Sequence, residues 1–386
     1  MSVTSKLTNA AIGLSSAIAL ASAAQAAEYT LKIGHVSAVT QPLSTCAEVM
    51  KSHVERYSGG RIKVQHYPAG QLGNFRENVE AVQFGTLEMT LTSGGGIANF
   101  FGPIQAFDIP YLFANDQVMD KVMADRELTE RLRADVLEAT GSVRLMGMTG
   151  GVGWRDFFTN VPVKTAADLQ GIKMRTVESP VSMEFASALG MNPTPVPWPE
   201  LYTSLATGVV NGTKNALSDV VDTSLNDYVK YAVADHHTHN LIFWWMSDTW
   251  LQSLPADLQA VVADGFHELT KTCNGLPGAL YLEKYQKFVD SGGEGHIPSE
   301  EEKATFLPGQ QPVIDWFVDK YGSEYYDPVQ AAVDRANAAS SGWACASSDS
   351  LRALKAMPHS RITESTGSRD RPNSVSSYST RGGTSA

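Results

Sequence analysis

Apolar and polar residues alternate over 29–33, which predicts a β-strand. From Pro42 the spacing changes to a helical one, with Leu43, Cys46, Met50 and Val54 on one side. A second strand is predicted over 61–67, closed by Pro68 and Gly70, then a helix over 75–84 stopped by Gly85. Leu87, Met89 and Leu91 alternate again and predict a third strand. A β-α-β-α-β order of this kind predicts a doubly wound α/β sheet. Ser93-Gly94-Gly95-Gly96 closes the third strand, where open α/β sheets place ligands. It lacks the Gly-Lys-Ser/Thr ending of a phosphate loop.

Asp116 is predicted to cap one helical segment reaching 139, with Val118, Val122, Leu128, Leu132 and Val136 as its buried stripe. A strand over 143–148 leads to Gly150-Gly151-Val152-Gly153, read as a crossing between two domains, because a hinge must absorb large dihedral changes. A second sheet then starts near Arg155 and includes 172–177. Helices are expected over 179–189, 201–207 and 217–231, and a strand over 239–246. A helix capped by Ser253 and carrying Leu258, Val262, Phe266 and Leu269 follows, then helical regions over 276–291, 312–321 and 328–339. Past Pro358 the apolar periodicity ends in favour of Ser, Thr, Gly and Arg, so 359–386 reads as a disordered tail.

Composition narrows the class. The chain has 386 residues, 43% hydrophobic and 18% charged, which is enough for two ordinary domains with real cores. Its net charge of -11 argues against nucleic acid as a partner, since phosphate binding needs a basic face. Lys6, the apolar stretch 10–24 and Ala24-Gln25-Ala26 read as a secretory signal over 1–26. The alternative, an uncleaved anchor, fits less well because a bilayer span needs roughly 20 apolar residues. The three cysteines allow at most one internal disulfide. Cys46 is expected as a buried thiol on its helix, and Cys273 with Cys345 is the candidate bridge.

Candidate chemistry concentrates between 168 and 215. Asp168-Leu169-Gln170-Gly171-Ile172-Lys173-Met174-Arg175 is a short strand ending on an arginine. Leu189-Gly190-Met191-Asn192-Pro193-Thr194-Pro195-Val196-Pro197-Trp198-Pro199-Glu200-Leu201-Tyr202 is a stiff proline-rich segment that opens a helix. Thr207-Gly208-Val209-Val210-Asn211-Gly212-Thr213-Lys214-Asn215 is a brief apolar run, a turn and a polar pair. A guanidinium, an indole and an amide on consecutive connections suit a small organic acid: a bidentate cation, a flat apolar wall and an orienting donor.

These motifs, with Tyr67-Pro68-Ala69-Gly70-Gln71-Leu72-Gly73 and Leu254-Pro255-Ala256-Asp257-Leu258, resemble the DctP-type solute-binding subunits of tripartite ATP-independent periplasmic (TRAP) transporters, in one order over about 29–338. The resemblance implies an α/β periplasmic binding protein fold with two mixed sheets flanked by helices and a cleft and hinge between two domains. Domain I would hold 27–152 plus 241–280, and domain II 153–240 plus 281–358. It also implies a periplasmic protein that captures a carboxylate and delivers it to the small and large membrane subunits of a TRAP permease. A monomer is expected, with no cofactor, no metal and no nucleic acid.

By the same resemblance Arg175 is the carboxylate clamp, Arg155 a second supporting arginine, Asn215 the orienting amide and Trp198 the aromatic lining. Arg155 as an inter-domain ion pair and Trp198 as ordinary core are the plainer alternatives. Asn74 falls where the family often has a polar contact, and Trp244, rather than Trp245, is the aromatic chosen to face the pocket. Lys214 stands where the family commonly has an acidic residue. It either meets a second anionic group on the ligand or points to solvent.

Other chemistry is weaker. His236-His237-Thr238-His239 offers two imidazoles on one side of a strand, short of the roughly four ligands of a structural zinc. His267-Glu268-Leu269-Thr270-Lys271 has a lysine where a zinc protease needs its second histidine. With no Gly-x-Ser-x-Gly elbow and no Cys/His pair, no enzyme is expected. The competing functions are an exported enzyme acting on an organic acid and a sensor subunit that hands its ligand to a receptor.

Overall fold

The computed structural model describes residues 27–340. The expected signal, the expected tail and Cys345 lie outside the described residues. The first half contains β1 (Tyr29–Gly34), α1 (Pro42–Tyr57), β2 (Ile62–Tyr67), α2 (Phe75–Gln83), β3 (Met89–Thr92), α3 (Asp116–Met123), α4 (Arg126–Thr140) and β4 (Val143–Thr149). The chain continues as β5 (Trp154–Thr159), β6 (Lys173–Thr176), α5 (Pro180–Ala188), β7 (Asn192–Pro195), α6 (Leu201–Ala206), β8 (Gly212–Ala216), α7 (Leu217–Asp222) and β9 (Tyr231–His239). It then forms β10 (Ile242–Ser247), α8 (Asp248–Ser253), α9 (Ala256–Asp290), β11 (Glu294–His296), α10 (Glu300–Ala304), α11 (Gln310–Tyr321) and α12 (Ser323–Ser340).

Two mixed sheets result. The first has the order β2-β1-β3-β10-β4, with β10 inserted antiparallel between β3 and β4. The second has the order β11-β9-β5-β8-β6-β7. The chain passes between the sheets at 150–153 and again at Asn240-Leu241, and α9 packs on both α1 and α7. Gly151 and Gly153 sit at φ +52 and +96, where side chains are disfavoured, and a Cβ on Gly151 would lie 2.4 Å from Ile242. The first sheet is packed on both faces, so β3 and β10 are buried along their whole lengths rather than alternating.

Several expectations change. The single helix of 116–139 is two, because the Asn115 side chain accepts from the Val118 N–H and Asp125 accepts from the Leu128 N–H, each starting a helix of its own. The helix expected over 217–231 stops at Asp222, and Ser224 turns at φ 59 into the approach to β9. The strand expected over 239–246 is the end of β9 and all of β10, which belong to different sheets. The two helices expected after Ser253 are one, α9, running through Pro277. The cysteine assignment is also corrected: Cys46 is bonded to Cys273, joining α1 to α9, and both are fully buried. Cys46 was expected as a buried thiol, which left Cys345 as the candidate partner of Cys273; the packing of α1 against α9 decides otherwise.

Candidate functional site

β8 lies between β5 and β6, with Arg175 in register with Thr213 and Arg155 with Ala216. This register gathers Arg155, Arg175 and Asn215 at one edge of the second sheet. Ser93, just after β3, and Ile242 of β10 face them from the first sheet. The cavity between encloses about 430 Å3, counted to its open mouth, and Trp198 and Val177 complete that wall.

Arg175 is only 2% exposed. Its Nε donates to the Val196 carbonyl at 3.0 Å, and its guanidinium carbon lies 5.7 Å from the centre of the Trp198 ring. That Nε bond is the only hydrogen bond of the guanidinium among the described residues, so both terminal amino groups stay available. Burial, aided by the positive charge of Arg155 and opposed by Asp219, holds its pKa down to about 9. Arg155 is tied down more completely: Nη1 donates to the Lys214 carbonyl at 2.8 Å and Nη2 to Asn240 Oδ1 at 2.6 Å. Its pKa is likewise lowered by burial, with Asp219 and Asp108 opposing.

Asn215 is held in place from both ends. Its Oδ1 accepts from the Thr213 hydroxyl and its Nδ2 donates to Asp219 Oδ2 at 3.1 Å. Asp219 Oδ1 accepts from Gln41 Nε2 at 2.8 Å, a bond that reaches from α7 across to the turn before α1. Burial raises the Asp219 pKa against the pull of Arg155. Two guanidiniums and one reluctant carboxylate thus share an enclosed space, which favours an anionic guest.

Lys214 is 5% exposed, so the solvent-facing alternative is out. Its Nζ donates to the Ser182 carbonyl at 2.9 Å and sits 5.0 Å from the centre of the Phe185 ring. It lines an adjoining chamber of about 340 Å3 that shares Ser93, Val177 and Arg155 with the arginine cavity. Burial and Arg155 press its pKa down to about 7. Asp108 in the same chamber is pushed up to about 6 by burial, against Arg155 and the Gly95 N–H.

Two assigned residues are elsewhere. Asn74 caps α2: its side chain accepts from the Glu77 N–H and its own N–H donates to Glu77, while the neighbouring Phe75 lines the cavity. Trp244 is fully buried in the first sheet's core, its indole N–H donating to the Thr149 hydroxyl at 3.1 Å, so it does not face the cavity. The strand's complete burial explains the miss: an aromatic on β10 has core on both faces. Sequence reading overlooked Gln41, Asp108, Asp219, His237 and Asn240. His237 lies in the histidine run, weighed there only as a metal ligand; of the others only Asp219, four residues past Asn215, had a positional cue.

The histidine run does not form a metal site. His236 takes φ 55, which breaks the strand alternation, and its ring stacks on Trp154 while His237 stacks on Phe157. Among the described residues no group of three or more His, Cys, Asp or Glu is placed to hold a metal ion. A larger cavity of about 930 Å3 lies near Val152, bordered by Trp154, His239 and Pro277. Its cationic and indole donors are spent, with the Trp154 indole N–H on Asp116 at 2.7 Å and Lys284 paired with Asp222, while His239 Nδ1 has no partner among the described residues. Size favours that cavity; unspent cationic donors favour the smaller one, and a charged ligand follows the donors. No helix among the described residues is long and apolar enough to cross a membrane.

Comparison with known proteins agrees with this geometry. The model of bacterial extracellular solute-binding protein family 7 (DctP) matches residues 33–320. The C4-dicarboxylate-binding periplasmic protein DctP of Rhodobacter capsulatus is 29% identical over 351 residues, covering 86% of this chain and 99% of that one. The structure of a TRAP periplasmic solute-binding protein from Polaromonas sp. JS666 bound to D-erythronate has a TM-score of 0.73 at 26% identity, covering 78% of this chain and 98% of that one. The sugar-acid-binding protein DctPAm of Advenella mimigardefordensis, in complex with galactonate, shares the fold with a TM-score of 0.76 at 23% identity, covering 80% and 98%. With two sheets flanking an arginine-lined cleft and three quarters of its length matched, the chain belongs to the DctP family of TRAP-type periplasmic solute-binding proteins.

Proposed function

We propose that this protein captures a small organic acid by its carboxylate and hands it to the small and large membrane subunits of a TRAP permease. The observation that carries the reading is Arg175: buried, stacked near an indole, and bonded through Nε alone. A carboxylate entering the cleft loses its water and needs strong donors in return. Two parallel charge-assisted bonds from Arg175 supply them, with Asn215 orienting and Arg155 adding charge. Closure of the two lobes about 150–153 then buries the acid. Relatives named for C4-dicarboxylates and D-erythronate support a carboxylate as the common element. Mass spectrometry of acid co-purified with the protein, followed by calorimetry on wild type and Arg175→Lys, tests the assignment. Wild-type affinity in Arg175→Lys would remove the bidentate clamp. Export is proposed to remove 1–26, so N-terminal sequencing of periplasmic protein should begin near Ala27; recovery of Met1 or Ser2 would refute cleavage.

A further inference from the structure

The chamber beside the arginine cavity has a hydrogen-bonding inventory that selects among acids. Asp235 is fully buried and accepts from the Tyr111 hydroxyl at 2.8 Å, while its carboxylate lies 3.0 Å from His237 Nδ1. A buried carboxylate at that distance fixes the proton on Nδ1. His237 is 1% exposed and burial lowers its pKa despite Asp235, so the ring is neutral at pH 7. Nε2, on the far side of the ring from Asp235, is then an acceptor, and it has no partner among the described residues. Ser93 Oγ, also buried, is unpartnered on the same chamber wall. Asp108 adds a second acceptor, and Lys214 Nζ is a donor with one bond spent on Ser182.

A carboxylate has acceptors only. Placed in this chamber it would satisfy Lys214 but face Asp108, and it would leave His237 Nε2 unpaired. A hydroxyl donates to one acceptor and accepts from the lysine at once. We propose that the ligand is a hydroxylated monocarboxylate, with its carboxylate on Arg175 and a distal hydroxyl in the chamber of His237, Asp108 and Lys214, and that dicarboxylates bind poorly. The proposal rests on the carboxylate reading of the Arg175 cavity and separates this chain from relatives named for C4-dicarboxylates.

The test is calorimetry on the mature protein with matched four- and six-carbon sets: D-erythronate, succinate and butyrate, then galactonate, adipate and hexanoate. In at least one set the hydroxy acid should bind tighter than both partners by at least about tenfold, because a site built for a hydroxyl rejects analogues lacking it. His237→Leu should shrink the preference for hydroxy acid over plain acid by about three- to tenfold, the worth of one hydrogen bond. His237→Gln, which keeps an acceptor, should retain more of it. Arg175→Lys separates the two readings. If it weakens every acid while a dicarboxylate is the tightest ligand, the chamber proposal alone is overturned. A preference unmoved in both folded His237 variants overturns it too. If Arg175→Lys leaves every acid unaffected, or no acid binds wild type, the carboxylate reading fails and this proposal with it.

Discussion

At the scale of single residues, the site depends on how few of its donors are already used. Arg155 spends both terminal amino groups on Lys214 and Asn240, whereas Arg175 spends only Nε. Arg175→Ala should therefore cost about 2–5 kcal/mol of binding, the penalty for truncating one partner of a buried charged pair. At about 1.4 kcal/mol per decade this is roughly thirty-fold to several thousand-fold in dissociation constant, measurable by calorimetry on the cognate acid. Arg155→Ala should instead lower stability as well as affinity, because it leaves the Lys214 carbonyl and Asn240 unpaired; an unchanged melting temperature would contradict that. Asp108 carries a pH prediction. Its folded pKa, about 6, lies above the ordinary aspartate value of 3.8, so the folded state resists its ionisation. The resulting penalty is full above pH 6 and vanishes below 3.8. Asp108→Asn should stabilise the ligand-free protein by about 1–3 kcal/mol at pH 7.5, at about 1.36 kcal/mol per pK unit. The gain should shrink as pH falls from 6 to 4; a gain that is the same at pH 7.5 and pH 4 would show that the carboxyl is not held protonated by burial. Sequence placed Arg155, Arg175, Trp198 and Asn215 in the cavity because the motifs that carry them also set the β5-β8-β6 register. It did not place Asp219, which follows β8 directly on α7, nor Gln41, Asp108, His237 and Asn240, which reach the site through contacts between segments distant in sequence. Asn74 shows the opposite error: a polar residue near the cleft that is fully committed to its own helix.

At the scale of elements, local signals succeeded where one principle acted alone. Alternation and breakers located β1, β2, α1 and α2 closely. β7 and β8 were not read as strands, because β7 is Asn-Pro-Thr-Pro and β8 is buried throughout and shows no alternation. β7 pairs in parallel at the sheet edge, where a strand tolerates prolines. α9 continues through Pro277 because its two halves are anchored, one on α1 and the other on α7, and Gly275 and Gly278 beside the proline face open space. The Cys46–Cys273 bond closes a separation of 227 residues and pins the first half of α9 to α1. Peptide mapping without reductant should recover these two cysteines linked; a Cys273–Cys345 peptide would refute the pairing. Cys46→Ala should cost about 2–5 kcal/mol in denaturant unfolding, as for loss of a native bridge.

At the scale of the whole molecule, a chain of net charge -11 keeps two arginines in a cleft between its sheets. The overall charge keeps the protein soluble, while the low dielectric of the cleft lets its few cations act on an anion nearby. Arg175 is 2% exposed and lines the cleft between the two sheets, so parting of the two sides would ease the entry of an acid. The proposed hinge positions are the 150–153 crossing, with Gly151 and Gly153 at positive φ, the Asn240-Leu241 crossing, and α9 near Pro277. Gln41 to Asp219 and Ser179 to Gln105 are hydrogen bonds that join the two sides and must break on opening. On the proposed reading the ligand binds the closed arrangement best and would shift the population toward closure by its differential affinity. The ligand-free protein should therefore show a larger radius of gyration in solution scattering than the protein saturated with its acid. Gln41→Ala removes one of those bonds without touching Arg175, so it should enlarge the ligand-free form further and weaken binding by about three- to tenfold, the worth of one hydrogen bond. Identical scattering curves with and without saturating acid would mean that the ligand enters a pre-closed cleft, and the hinge reading of 150–153 would fall.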